Sequence, residues 1–161
     1  FLIMPMLEHL HDLCVSKGIS VAVAESCTSG LIASKLSLKP GSSVFFKGGV
    51  VAYQNDIKVK VLGVDEQAIS EYTEVSAKVV KQMASGVRNS FSADYSIATS
   101  GYAGPSGGTN NTPIGTVFIA ISRANGVNVE RFVFSGDRAS IINQVFEKSV
   151  SLLYDAIKKD R

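Results

Sequence analysis

Apolar and polar positions follow two rhythms along this chain, one near every third or fourth residue and one of short continuous runs. Residues 3–17 carry apolar side chains at helical spacing and stop at Gly18, a residue suited to a helix C-terminal cap. Ile19–Ala24, ISVAVA, reads as a buried strand closed by the polar run Glu25-Ser26-Cys27-Thr28. Helical spacing returns over roughly Gly30–Leu38 and breaks at Pro40-Gly41. Val44–Tyr53 predicts a strand interrupted by Gly48-Gly49, a pair that marks a bulge or the close approach of another backbone or a ligand.

Asn55–Leu62 predicts a short helix, with a further segment around Asp65–Tyr72. Ser76–Phe91 has strong helical periodicity with Ser76 as N-cap. Tyr95–Thr99 reads as a strand and Gly101–Pro113 as a glycine-rich loop. Gly115–Ser122 and Val127–Phe134 form two β-rich runs joined by the hairpin signal Asn125-Gly126. A long amphipathic helix, roughly Ala139–Lys158, follows. Helices alternating with strands, plus one hairpin, predict an α/β fold whose sheet is partly parallel and partly antiparallel.

Composition narrows the function. The 161 residues fit one domain, 1–161, and with 45% hydrophobic and 19% charged residues the chain can bury a core. A formal net charge of +2 from scattered basic residues points away from nucleic acid. No apolar run approaches the roughly 18 residues of a membrane-spanning helix, and the opening FLIMPML lacks the flanks of a signal peptide. Cys14 and Cys27 read as reduced residues of a cytoplasmic protein. His9 and His11 lie on different faces of a helix and no cysteine pair has ligand spacing, so neither metal nor cofactor is expected. A chain opening on Phe1 also fits the C-terminal domain of a longer protein.

The strongest candidate for chemistry is Ser26, where a buried strand turns into a helix. Ligands of open α/β sheets bind at the carboxyl ends of strands, and the free amides of the following helix's first turn, near Cys27 and Thr28, can receive an oxyanion that the helix dipole favours. The polar run equally fits simple helix capping. No histidine follows His11 and Ser-x-x-Lys is absent, which leaves a lysine as the base. Tyr53 and Lys58 flank a strand end and a helix start, and Ser-Lys pairs are a known variation on triad logic. A strand-end aromatic and a solvated lysine would look the same on spacing alone. Gly104-Pro105-Ser106-Gly107-Gly108 matches a nucleophile elbow in letters but lacks the following helix. Its glycines could instead form an anion nest. Arg138, opening the last helix, opposes the helix dipole, a conflict that a phosphate or an ordinary ion pair would relieve.

Taken in order, AESCTSG at 24–30, PGSSVFFKGGVVAYQNDIK at 40–58, VLGV at 61–64, SGYAGPSGG at 100–108, PIGTV at 113–117 and FSGDR at 134–138 resemble the C-terminal domain family of competence- and damage-inducible protein A, the nicotinamide-mononucleotide amidohydrolases. The resemblance implies a single three-layer α/β/α sandwich that forms homodimers and deamidates nicotinamide mononucleotide without a metal. It implies Ser26, Tyr53 and Lys58 as catalytic residues. Gly104, Gly107, Gly108 and Thr109 would belong to the nucleotide pocket, with Arg138 as a phosphate contact. Ser29 stands where the family usually has glycine, Thr112 where lysine is usual, and Tyr102 where a smaller apolar residue is usual. Two alternatives stay open: a serine amidase on another small amide, and a non-catalytic, regulatory nucleotide-binding domain.

Overall fold

The computed structural model describes residues 3–160; Phe1, Leu2 and Arg161 lie outside the described residues. Helix α1 spans Ile3–Lys17 and ends at Gly18 with φ 63°, a left-handed turn that glycine adopts without steric cost. Strand β1, Val21–Glu25, is buried along its whole length. It begins two residues later than its apolar run because Ser20 gives its amide to the Asp94 carboxylate at 2.8 Å. Helix α2, Leu31–Leu36, is shorter than its periodicity, since the Ser37 hydroxyl bonds back to the Ala33 and Ser34 carbonyls and stops the turn. A single 3-10 turn at Ser42–Val44 takes the start of the predicted second strand, so β2 runs Phe46–Val51.

The remaining elements are α3 Asn55–Leu62, α4 Glu66–Tyr72, α5 Ala77–Ser90, β3 Tyr95–Gly101, β4 Thr116–Arg123, β5 Gly126–Val133 and α6 Arg138–Lys159. Ser76 caps α5 by accepting from the Val79 amide, as its position predicts. The strands form one sheet in the order β2-β1-β3-β4-β5. β1 runs parallel to both neighbours, while β3, β4 and β5 are antiparallel in turn. The mixed sheet of the sequence reading is therefore observed, with the predicted Asn125-Gly126 hairpin joining β4 to β5.

Two apolar layers sandwich the sheet. Val21, Val23, Ile97, Val117, Ile119 and Ile121 face α1, α2 and α6. Ala22, Ala24, Ala98 and Ala120 face the other layer, where Val79, Val80, Met83 and Val87 of α5 fill the space. Small side chains let α5 sit close, and the Ser96 hydroxyl donates to the Ala84 carbonyl at 2.7 Å. The Gly48-Gly49 pair does both things its composition allows. The ladder skips a residue between Val21↔Phe46 and Ala22↔Gly48, which is a bulge at Lys47. A Cβ on Gly49 would lie 2.4 Å from Val23 Cγ2, so only glycine fits against β1 there.

The topology creates one crevice. The chain leaves β1 through α2 to reach β2 on one side, then crosses to β3 on the other. The carboxyl ends of β1 and β3 therefore diverge at a switch point, the usual ligand position of open α/β sheets.

Candidate active site

A cleft of about 250 Å³ opens at this switch point, and Ser26, Cys27, Tyr53, Glu74, Gly104 and Arg138 are among its walls. Ser26 follows the last residue of β1 and anchors its amide on the Thr99 carbonyl at 3.2 Å. Its hydroxyl has no hydrogen-bond partner among the described residues, which leaves it free toward the cleft. The next residues make a tight turn in which Ser29 holds φ 49° and Gly30 φ 98°. This left-handed serine explains why glycine suits that position: an L side chain is strained there.

The turn separates two sets of amides. Those of Ile32 and Ala33, in the first turn of α2, donate to the two carboxylate oxygens of buried Glu25 at 3.0 and 2.9 Å. The anion-favouring end of α2 is thus already filled by a charge from β1. The expectation that first-turn helix amides receive an oxyanion is corrected on this point. The amides of Cys27 and Thr28 precede the helix and donate to no oxygen among the described residues. Below them, the Thr28 and Thr99 hydroxyls bond to each other at 2.9 Å. The Cys27 thiol is pushed up to about 12, mainly by burial, so it stays protonated and weakly nucleophilic.

Lys58, on α3, is fully buried at 0% exposure, not the solvated surface charge its spacing also allowed. Its ammonium donates to the Tyr53 carbonyl oxygen at 3.0 Å and makes no direct hydrogen bond to Ser26. Burial lowers its pKa from the ordinary lysine value; the Glu74 carboxylate and then Cys27 oppose that shift. A lysine held this way moves toward the neutral amine that a general base requires.

The Tyr53 side chain is half exposed, and its hydroxyl accepts from Arg138 Nη2 at 3.0 Å. Arg138 Nη1 donates to the Gly104 carbonyl at 2.7 Å. Asp137 caps α6 by accepting from the Ser140 amide, which makes Arg138 the first residue of that helix. Contacts with a carbonyl and a phenol, not an ion pair, offset its unfavourable place at the helix dipole.

Not every expected residue reaches the cleft. Thr28, Lys58, Gly107, Gly108 and Thr109 do not line it. Thr109 is engaged with Thr112 through their hydroxyls and both amides, closing a turn of its own. A Cβ on Gly108 would meet the Ile114 nitrogen at 2.9 Å, so this glycine serves loop packing. Ser106 lines the cleft although the nucleophile elbow it mimics is absent. Glu74 and Glu25 were missed. Glu74 lies between two helices, outside any motif; Glu25 could have been found as a carboxylate at a strand end facing a helix that opens on glycine. Among the described residues no group of His, Cys, Asp or Glu gathers to hold a metal. His11 instead packs edge-on against Phe45, at 5.2 Å between ring centroids.

The family described as the CinA C-terminal domain matches residues 4–157. The chain belongs to that family. A CinA-like protein of Shewanella sediminis is 39% identical over 153 residues, covering 95% of this chain and 35% of the relative. A CinA-like protein of Fervidobacterium nodosum is also 39% identical, over 96% of this chain and 37% of the relative. The CinA domain described here thus spans little more than a third of these curated relatives. Among solved structures, competence damage-inducible protein A of Klebsiella pneumoniae superposes with a TM-score of 0.95 at 29% identity, covering 99% of each chain. The competence/damage inducible protein CihA of Agrobacterium tumefaciens gives 0.93 at 32% identity, over 97% of this chain and 95% of that one. The three-layer α/β fold is that of these CinA proteins. No helix among the described residues is long and apolar enough to cross a membrane.

Proposed function

We propose that this CinA domain deamidates nicotinamide mononucleotide, giving nicotinic acid mononucleotide and ammonia, with Ser26 as nucleophile and Lys58 as base. The observation that carries the reading is an unpartnered serine in the switch-point cleft, together with a fully buried lysine of lowered pKa whose ammonium is held by the carbonyl of the cleft residue Tyr53. Binding alone does not require a proton acceptor there.

Substrate entry draws the Lys58 amine from the Tyr53 carbonyl toward Ser26, since catalytic hydrogen bonds often tighten only in the substrate complex. The Ser26 oxygen bonds to the carboxamide carbon as its proton passes to Lys58. The oxyanion rests on the Cys27 and Thr28 amides. Collapse breaks the carbon–nitrogen bond, and the nitrogen leaves as ammonia with the proton returned by Lys58. Water then attacks the ester, Lys58 again accepting a proton, and frees the carboxylic acid and the Ser26 hydroxyl. Arg138 leaves the Tyr53 hydroxyl to bind the phosphate, which frees that hydroxyl for proton transfer.

Ammonia release from nicotinamide mononucleotide by the wild type and by Ser26→Ala tests the reading. Loss of the nucleophile should cut the rate by about a thousandfold or more. The Ser26 hydroxyl supports nothing else in the fold, so stability should stay within about 0.5 kcal/mol. Equal rates would end the assignment. The resting Lys58–Tyr53 contact favours one second reading, a nucleotide-binding domain without turnover. Calorimetric binding of the mononucleotide with no ammonia released by the wild type would select it.

A further inference from the structure

Glu74 is a charged wall of the cleft that this chemistry leaves without a role. Its backbone is fixed from both sides. The buried Ser100 hydroxyl, at the end of β3, donates to the Glu74 carbonyl at 2.7 Å. The next residue, Val75, is buried in the fold. The half-buried Glu74 carboxylate itself makes no hydrogen bond or ion pair among the described residues. Arg138 lines the same cleft, yet the two do not pair. A carboxylate and a guanidinium that line one cleft without pairing complement a ligand that carries both charges, a cation for Glu74 and an anion for Arg138.

Resting on the amidase reading above, we propose that Glu74 is the substrate-selecting counter-charge for a cationic heteroaromatic ring whose carboxamide is presented to Ser26. An N-substituted pyridinium carries a full positive charge, whereas free nicotinamide and dihydropyridine rings carry none. Selection is then a difference in affinity set by one electrostatic contact. The same contact serves the base. The Glu74 carboxylate opposes neutralisation of Lys58, and a bound ring cation offsets that field. A cationic substrate thereby favours the amine form that accepts the Ser26 proton.

Calorimetry on the Ser26→Ala chain, which binds without turnover, tests the inference. The ligands are nicotinamide mononucleotide and its dihydro form, which keeps carboxamide, ribose and phosphate but lacks the ring charge. The Ser26→Ala chain should prefer the cationic form by about tenfold, a preference that shrinks with added salt. Adding Glu74→Gln should reduce the preference to about twofold or less, through loss on the cationic side alone, while Glu74→Asp should keep part of it. An undiminished preference in the glutamine variant overturns the inference. An equal weakening of both ligands does so too, because it marks a structural role. If the wild type binds both ligands but releases no ammonia, the amidase reading fails and ring selection is still measured. Binding of neither form overturns both.

Discussion

The two ends of the central sheet treat charge in opposite ways. At the amino ends of β1 and β3, Arg123 and Asp160 form an ion pair, and Lys17 and Asp94 bond to backbone groups of the fold. Asp160 accepts from the Tyr95 hydroxyl at 2.6 Å and lies 3.2 Å from the Arg123 guanidinium. Lys17 donates to the Ile157 and Asp160 carbonyls, closing the end of α6, and Asp94 takes the Ser20 amide. At the carboxyl ends, Glu74 pairs with nothing among the described residues, while Lys58 and Arg138 lean on neutral oxygens. These bonds, with the Arg123–Asp160 ion pair among them, tie the helices to the sheet. Charges held without an ionic partner beside a cleft add little to stability and are left for a ligand to complete. The difference separates the part of the molecule that holds it together from the part that is kept ready.

This division breaks most sharply at Lys58. Lys58→Met keeps the volume and removes the amine, and ammonia release should fall by about 10²–10⁴. Stability should not fall with it, because a desolvated ammonium is exchanged for an apolar side chain. The pH dependence carries its own sign. Lys58 has a folded pKa below its ordinary 10.5, so between those values the unfolded chain holds a proton that the folded chain has shed. Its contribution to stability therefore rises with pH across that window and is missing from Lys58→Met. Denaturation of the two proteins from neutral to alkaline pH measures the difference; a wild-type advantage that falls with pH would contradict a disfavoured ammonium.

The opposite end should respond in the opposite currency. Asp160→Ala strips Tyr95 and Arg123 of a common partner and should cost about 1–3 kcal/mol in denaturant unfolding. Ammonia release per folded molecule should be unchanged; a parallel loss of kcat would dissolve the contrast. Burial, then Asp160, pushes the Tyr95 phenol up to about 12 from its ordinary 10.0. Its stabilising contribution is complete below pH 10 and is lost as pH climbs through 12, and Asp160→Ala should narrow that window.

The smallest effect belongs to Ser29, inside the functional turn. Glycine would relieve a left-handed conformation that costs an L residue about 1 kcal/mol. Part of the gain is returned through the freer unfolded chain. Ser29→Gly should therefore raise the thermal midpoint slightly, by under about 1 kcal/mol of stability. A lowered midpoint would show that the Ser29 hydroxyl supports the turn.

The elements were legible because their signals are local. Gly18, Ser76, Asp137 and Asn125-Gly126 each mark a boundary through backbone geometry or a capping bond within a few residues. The errors were local too: Ser37 shortened α2 and Ser42–Val44 delayed β2, since hydroxyl-to-carbonyl bonds and 3-10 turns leave no periodicity. At the site, Ser26, Tyr53 and Arg138 were brought together by the family resemblance that their motifs carry, while spacing alone left each an ordinary reading. Glu74 could not, because a lone acid between helices becomes a cleft wall only when Ser100 pins its backbone to β3.

The sequence by itself determined which residues are apolar, where backbones turn, and that a serine stands at a strand end and a lysine at a helix start without a histidine to help. Tertiary structure alone decided that Lys58 is dry, that Glu25 fills the end of α2, and that Thr109 turns from the cleft toward Thr112. Hydration and charge pairing depend on how helices seat on the sheet, a property summed over contacts far apart along the chain, which no short stretch of residues encodes.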